Sequence, residues 1–221
     1  MSTPPSWSGR QLAGNWDVIW FYTLQHLRYT VFAVALGAAV AFPLAYVALR
    51  SPRLYPVLLV ASNVIYAIPA LTIFVILTPF LGALNDKPIV VTMALYTLVI
   101  LVRNIVESVR SVPEPVVRAA DAMGYRSLRR FTAVELPLAL PGIVAGLRLA
   151  TVSTVSLISV GGIIGRGALG RMFIDGYRRN VDIEVWAALL AVVGLALTLD
   201  LLISLAGRTA TPWTRLRQAT V

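Results

Sequence analysis

The 221-residue chain carries a net charge of +9, yet 58% of its residues are hydrophobic, only 13% are charged, and its mean hydropathy is +0.79. A soluble domain needs more charge to cover its surface, and basic residues between long apolar runs favour membrane topology over nucleic acid binding, so we predict a protein embedded in a lipid bilayer. The absence of cysteine and the single histidine exclude a disulfide framework, a thiolate metal site and a multi-histidine metal centre.

The first 28 residues precede the first long apolar run. They lack the basic region and the apolar region of a cleavable signal peptide. Trp16, Trp20, Phe21 and Tyr22 lie close together, and aromatic rings with a polar edge favour the headgroup region of a membrane. We therefore predict an N-terminal interfacial segment over residues 1–28, with an extension of the first span as an equal alternative.

Five apolar runs are candidates for spanning helices, each of which takes about 20 residues. They cover residues 29–49, 54–84, 88–102, 138–164 and 185–206. The second run contains Pro69 and Pro79, so it is either one long kinked helix or a helix followed by a half-helix. The pattern predicts an all-α membrane protein with about five spans, or six if the second run splits. The whole chain is then one transmembrane domain with a core over 29–206 and a tail over 207–221.

Arginine asymmetry orients these spans. With five spans and the N-terminus outside, the larger share of the arginines falls on the side that also receives the C-terminus. Cytoplasmic loops carry the excess of positive charge, so we expect the N-terminus outside and the C-terminal tail in the cytoplasm.

The polar stretch after the third run has the pattern of two short helices joined by a turn. Residues 116–123 suit a helix that ends at Gly124, where a left-handed backbone costs little. Ser127 is a candidate cap for a second helix over 128–136, and Pro137 marks the return to the membrane. Such an element has the shape of a docking site for a partner. The alternative is a solvated connecting loop.

This stretch, residues 111–137, resembles the cytoplasmic motif of permease subunits of ABC importers. The family pattern is Glu-Ala-Ala, three residues, Gly, nine residues, Ile, any residue, Leu-Pro. The corresponding residues here are Arg118, Ala119, Ala120, Gly124, Val134, Leu136 and Pro137. Val134 is a conservative replacement for isoleucine, whereas Arg118 reverses the charge of the usual glutamate and puts in doubt any ion pair that the glutamate makes.

Longer stretches resemble the permeases for osmoprotectants such as glycine betaine, choline and carnitine. They include NVIYAIPALTIFVILTPFLG, LYTLVILVRNIVESVRSVPEPVVRAADAMG, ELPLALPGIVAGLRLATV and the glycine-rich IIGRGALG. The resemblance spans residues 29–206 and implies the transmembrane fold of type I (MetI-like) ABC importers. The implied function is a permease subunit that forms the translocation path for a quaternary-ammonium osmoprotectant. A permease for methionine or another amino acid is the alternative.

The resemblance also implies partners. In the family, the loop is a coupling helix seated in a groove of a cytoplasmic ATPase dimer. The sequence has no GxxxxGK[ST] phosphate loop, so ATP and Mg²⁺ are expected on that partner and no cofactor is expected in this chain. A second permease subunit, identical or related, and an extracytoplasmic substrate-binding protein complete the importer in a bacterial-type inner membrane. A membrane enzyme is a weaker reading because HExxH and GxSxG motifs are absent, and a passive channel is another.

Polar residues within the apolar runs are candidates for the translocation path. Asn63 and Tyr66 lie just before Pro69, where the helix is broken, and either border the path or make a polar contact between spans. The fourth run adds the hydroxyl residues Ser153, Thr154 and Ser156. For most hydroxyl residues of this run, close helix packing is the favoured alternative.

Two ionisable residues lie inside predicted spans: Arg148 in the fourth and Asp200 in the fifth. Counted from the cytoplasmic ends of the two runs, Arg148 is ten residues in and Asp200 is six residues in, or roughly 15 Å and 9 Å at the helical rise. Pairing is the usual remedy for charge within a membrane. We predict an ion pair between them, with a structural role favoured over a role in transport.

Overall fold

The computed structural model describes residues 15–82 and 85–213, and this part of the chain consists of helices joined by short connections. The α-helices in chain order are α1 (Trp16–Arg50), α2 (Leu54–Ala67), α3 (Ala70–Leu81), α4 (Lys87–Arg110), α5 (Glu114–Ala122), α6 (Ser127–Arg130), α7 (Leu136–Val160), α8 (Leu169–Arg178) and α9 (Asp182–Ala210). A π-helical turn, Phe131–Glu135, joins α6 to α7, and a 3-10 turn, Gly161–Ile164, follows α7. The predicted all-α class is confirmed.

The described residues contain four helices that can each span a membrane, and a fifth span if a bent pair of shorter helices is counted as one. The helix α1, the continuous segment that contains α7, and the helices α4 and α9 are each long and apolar enough to cross a membrane. The helices α2 and α3 are apolar and long enough only together, and the bend of 91° between them is the geometry of a broken fifth span or of a re-entrant loop. Ile68 is extended at the break, as a residue before proline tends to be, and Pro69 is the N-cap residue that precedes α3. With 14 and 12 residues, neither piece spans a bilayer alone, which excludes the six-span alternative.

The first helix runs without interruption from Trp16 to Arg50. Trp16 and Trp20 therefore lie in the first turns of a spanning helix, not in a separate interfacial helix that ends at residue 28. Of the two alternatives that the sequence allowed, the structure has the extension of the first span. An interfacial depth for these turns stays a prediction. Residues 1–14 of the predicted N-terminal segment and 214–221 of the predicted tail lie outside the described residues.

The helix α4 is the most enclosed span and packs against both α1 and α7. Small residues at the crossings allow this: a Cβ on Gly37 would lie 2.7 Å from Thr97, and one on Gly146 would lie 2.6 Å from Asn104. The hydroxyls of Thr97 and Thr154 form a hydrogen bond of 3.0 Å across the α4–α7 contact. Close packing and interhelical hydrogen bonds drive helix association in lipid, so α4 positions both neighbouring spans.

The second helix of the polar stretch continues into the fourth span. The segments α6, the π turn and α7 form one rod over residues 127–160. The π turn ends two residues before Pro137, which has no N–H to donate, and the Leu136 N–H donates to the Phe131 carbonyl five residues earlier. The prediction that Ser127 caps a separate helix is wrong, because no side chain caps this helix and Ser127 is its first residue.

The connection after α7, which lies between the fourth and fifth apolar runs, contains the helix α8. A tight turn precedes α8, with positive φ of 73° at Gly165 and 97° at Gly167. A Cβ on Gly170 would lie 2.1 Å from the Ser159 carbonyl oxygen, so the two backbones are in direct contact. The helix was missed because its ten amphipathic residues form no apolar run.

Candidate functional site

The polar stretch between α4 and α7 folds as α5, a glycine turn and the start of the rod. The Gly124 backbone has a φ of 78°. Its N–H donates to the Asp121 carbonyl at 3.0 Å, and the Tyr125 N–H donates to the Ala120 carbonyl at 3.1 Å. These two bonds satisfy carbonyls in the last turn of α5 and form a glycine-dependent helix end. The structure thus places a sharp turn at Gly124, where the sequence predicts one.

Arg130 ties α5 to the rod. Its guanidinium contacts both carboxylate oxygens of Asp121 at 2.6 Å and one carboxylate oxygen of Glu135 at 2.8 Å. Arg130 and Glu135 are five residues apart, a spacing that a π turn aligns and a regular α-helix does not. The sequence analysis missed this clamp because it assumed α-helical periodicity.

The end of α1 holds the other side of the loop. The Arg50 guanidinium donates to the Ser127 carbonyl at 2.6 Å and lies over the Tyr46 ring at 5.1 Å from its centre. The Tyr46 ring packs against Phe131 with centroids 4.9 Å apart. The loop is therefore fixed to α1 as well as to α7. Nothing in the sequence pattern distinguishes Arg50 from an ordinary arginine at the end of a span.

The surface of the loop is open, and it exposes two large apolar side chains beside the charged Arg118, Arg126 and Arg129. Met123 is 69% exposed and Leu128 is 60% exposed, on either side of the turn. Ala119 is also exposed, and no atom lies within 4 Å of the position where a Cβ on Gly124 would be. A rigid, exposed turn with apolar side chains of this kind is typical of a surface that contacts another protein.

The other motif residues support the loop from within. Ala120 is buried, whereas Val134, Leu136 and Pro137 are half-buried along the rod. Arg118 is exposed and pairs with Glu114 one turn earlier at 3.3 Å. The charge reversal at Arg118 is therefore accommodated within α5.

Three of the path candidates lie at or shortly before the break between α2 and α3. Asn63, Tyr66 and Pro69 are exposed. The ring of Tyr66 lies 5.7 Å from that of Tyr96, whose hydroxyl donates to the Ile68 carbonyl. That bond satisfies a carbonyl that the break frees from the helical ladder, a requirement for irregular backbone at membrane depth.

The hydroxyl candidates of α7 face different surroundings. Thr154 is buried against α4, where it bonds Thr97, so it serves packing rather than lining a path. Ser153 is half-buried. Ser156 is exposed on a groove of about 440 Å³ that α7, α8 and α9 line together, separate from the groove of the ion pair described next.

The structure brings Arg148 and Asp200 together. The Arg148 Nε and Nη2 atoms donate to the two Asp200 carboxylate oxygens, both at 2.7 Å. The arrangement is bidentate, the strongest geometry for this pair of groups. The side chains remain 40% and 28% exposed, on a groove of about 420 Å³ between α7 and α9.

Comparison with known proteins places this geometry in context. Residues 16–215 match the family described as the binding-protein-dependent transport system inner membrane component. The choline transport system permease protein OpuBB of Bacillus subtilis is 28% identical over 201 residues, which cover 91% of this chain and 92% of that relative. The glycine betaine/carnitine/choline transport system permease protein OpuCD of Bacillus subtilis is 33% identical over 159 residues, which cover 70% of this chain and 69% of that relative.

Solved structures share the architecture. A chain of the MetNI methionine ABC transporter in an inward facing conformation matches with a TM-score of 0.78 at 19% identity, covering 93% of this chain and 100% of that chain. An amino acid ABC transporter chain matches with a TM-score of 0.73 at 15% identity, covering 94% and 99%. These likenesses show the fold alone, and they confirm the predicted MetI-like architecture.

Proposed function

Because the chain belongs to the family of binding-protein-dependent transport system inner membrane components, we propose that it is the permease subunit of an ABC importer for a quaternary-ammonium osmoprotectant. The single observation that carries the coupling role is the rigid turn around Gly124 with its exposed apolar side chains, clamped to two spans and open toward the outside of the chain. The relatives named for choline, carnitine and glycine betaine transport support the substrate class.

The clamps account for how a partner's movement reaches the membrane. Met123 and Leu128 contact a cytoplasmic ATPase, which binds ATP and Mg²⁺, and this chain is not itself an enzyme. Arg130 joins α5 to the rod, and Arg50 joins the loop to α1. A force on the loop therefore moves α1 and α7 as one body, which is the requirement for alternating access by rigid rocking.

The remaining partners follow from the family and the topology. A second permease subunit completes the path, and an extracytoplasmic binding protein delivers the solute. The chain crosses the bacterial inner membrane several times, with the N-terminus outside and the loop and C-terminus in the cytoplasm, because arginine excess marks the cytoplasmic side.

A methionine or other amino acid permease is the alternative substrate reading. The two solved structures described above come from such transporters, but at 19% and 15% identity they support no substrate. The relatives with named osmoprotectant substrates favour the main proposal.

Uptake by the complete importer tests the proposal. The chain is reconstituted in proteoliposomes with its ATPase and binding protein, and uptake of radiolabelled glycine betaine, carnitine, choline and methionine is measured with and without ATP. We expect ATP-dependent uptake of at least one quaternary-ammonium solute and none of methionine. ATP-independent uptake contradicts the importer role, and uptake of methionine alone contradicts the substrate class.

A further inference from the structure

The Arg148–Asp200 pair is not enclosed by its own chain. Arg148 lies at the midpoint of the 25-residue helix α7, about 18 Å from either end at the helical rise, so its side chain does not reach the helix ends. Charged groups at such a position face a protein interior or a water-filled cavity, because hydrocarbon solvates them poorly. Partial exposure of both side chains therefore requires a polar environment beyond this subunit.

The open face of α7 lies opposite the faces that pack on α1 and α4. Ala145, Leu149 and Ser156 are exposed and recur at the spacing of one helix side. Ile143 and Ala150 lie on the other side, buried in the cluster that α1 and α4 share with α7. The groove with the ion pair thus opens away from α1.

The exposed face of α1 differs in chemistry. It carries the apolar residues Phe32, Leu36, Val40 and Val47. A uniformly apolar stripe suits lipid, whereas a stripe that includes a hydroxyl and flanks an ion pair does not. The helix α9 also exposes an apolar stripe that includes Leu190, Leu197 and Leu201. The exposed sides of α1 and α9 therefore suit lipid, and the α7 face beside the ion pair is the side left for the path between two permease subunits.

We propose that the Arg148–Asp200 pair is a binding element for zwitterionic solutes on the wall of the translocation path. Arg148 contacts the solute carboxylate and Asp200 attracts its quaternary ammonium group. This inference rests on the proposed function and revises the structural role that the sequence favours.

The unused hydrogen-bond donors of Arg148 and the negative charge of Asp200 match the two charged groups of a zwitterion. A guanidinium has five N–H donors, and Arg148 uses Nε and Nη2 for Asp200, while Nη1 bonds to no described residue and is available for a carboxylate. A quaternary ammonium group has no N–H and needs only a nearby anion, which Asp200 supplies. The groove of about 420 Å³ is within the size range of small-molecule sites. Choline has the cation but no carboxylate, so the element favours glycine betaine and carnitine over choline.

The first test replaces Arg148→Gln in the complete reconstituted importer and compares uptake of glycine betaine and choline. We expect glycine betaine uptake at limiting concentration to fall about tenfold or more, as loss of a charge-assisted hydrogen bond predicts, with a smaller change for choline. The matched control is Arg171→Gln, which removes an arginine paired to Asp175 at 3.5 Å on α8, outside the groove. The control should leave the ratio of the two uptakes unchanged.

The second test separates binding from structure with the double replacement Arg148→Met and Asp200→Leu. Replacing both members of an ion pair by apolar groups is often neutral for stability, whereas removing one leaves an unpaired charge. We expect the double variant to assemble with its partners and to lose the preference for glycine betaine over choline.

Three results overturn the inference while leaving the proposed function intact. They are unchanged glycine betaine uptake in the double variant, equal losses for both solutes in assembled variants, and failure of both variants to assemble, which would make the pair purely structural. If the wild-type importer transports neither solute with ATP, the proposed substrate class fails, and this inference fails with it.

Discussion

Two glycine-dependent turns lie at opposite ends of the α7 rod, and they differ in what surrounds them. At the turn between α7 and α8, called the outer turn, a Cβ on Gly162 or on Gly170 would lie 2.1 Å from a backbone carbonyl oxygen. At the inner turn, a Cβ on Gly124 would meet nothing within 4 Å, and only the φ of 78° calls for glycine.

The outer turn is packed against residues of this chain, whereas the inner turn has empty space around its glycine. The outer turn uses glycine to bring its own backbones into contact, so its role is to hold α8 on α7. The inner turn uses glycine to reverse direction while it presents Met123 and Leu128 outward. The open turn is the one that fits a partner protein.

The replacement Gly170→Ala should have the largest effect on the protein itself. The added Cβ collides with the Ser159 backbone, which has no flexible side chain that could move away, so we expect a loss of at least about 3 kcal/mol in stability. Thermal unfolding in detergent and the yield of folded protein measure it. Gly194→Ala is the matched control, since a Cβ there meets nothing within 4 Å. Equal stability of the two variants would show that the outer turn is not closely packed.

The replacement Arg130→Gln should be next in size and should act on coupling. It removes charge-assisted hydrogen bonds to Asp121 and to the buried Glu135. The free energy that holds α5 against the rod should fall by about 2 kcal/mol, which makes the loop less rigid. Transport should fall more than ATPase binding, because the loop still docks but transmits less movement. The ratio of transported solute to hydrolysed ATP measures this. Arg129→Gln, on the exposed side of the same turn, is the control. An unchanged ratio for Arg130→Gln would show that the contacts of Arg130 do not contribute to coupling.

The replacement Gly124→Ala sharpens the comparison directly. No collision opposes the methyl group, so the cost is the left-handed backbone alone, about 1 kcal/mol. We expect the permease to fold normally and to bind its ATPase a fewfold more weakly in co-purification at graded detergent or salt. If Gly124→Ala lowered the unfolding temperature as much as Gly170→Ala does, the inner turn would have to be part of the fold rather than an open interface.

The replacement Arg118→Glu should have the smallest effect. It restores the residue type of the family pattern and removes an exposed pair with Glu114, which contributes about 0.3–0.5 kcal/mol. Two neighbouring carboxylates then repel weakly across one helical turn. We expect transport within about twofold of wild type, in line with these small free energies. A larger loss, with Arg118→Gln unaffected, would show that the positive charge contacts the partner.

The count of spans, the turn at Gly124 and the pairing of Arg148 with Asp200 were all accessible from the sequence. The spans follow from the length of the apolar runs, which must match the thickness of the bilayer. The turn follows from glycine at a sharp helix end, and the ion pair follows because few other charged residues within the spans are available as partners. The resemblance to importer permeases rests on the same local spacing.

Only the tertiary structure decided what surrounds those elements. It bent the second apolar run by 91°, merged the loop's second helix with α7 through a π turn, and brought Arg50 to Ser127 from 77 residues away. It also left the Arg148–Asp200 pair open on the side away from α1. Contacts between distant segments depend on how whole helices pack, which hydropathy and local backbone preference do not specify.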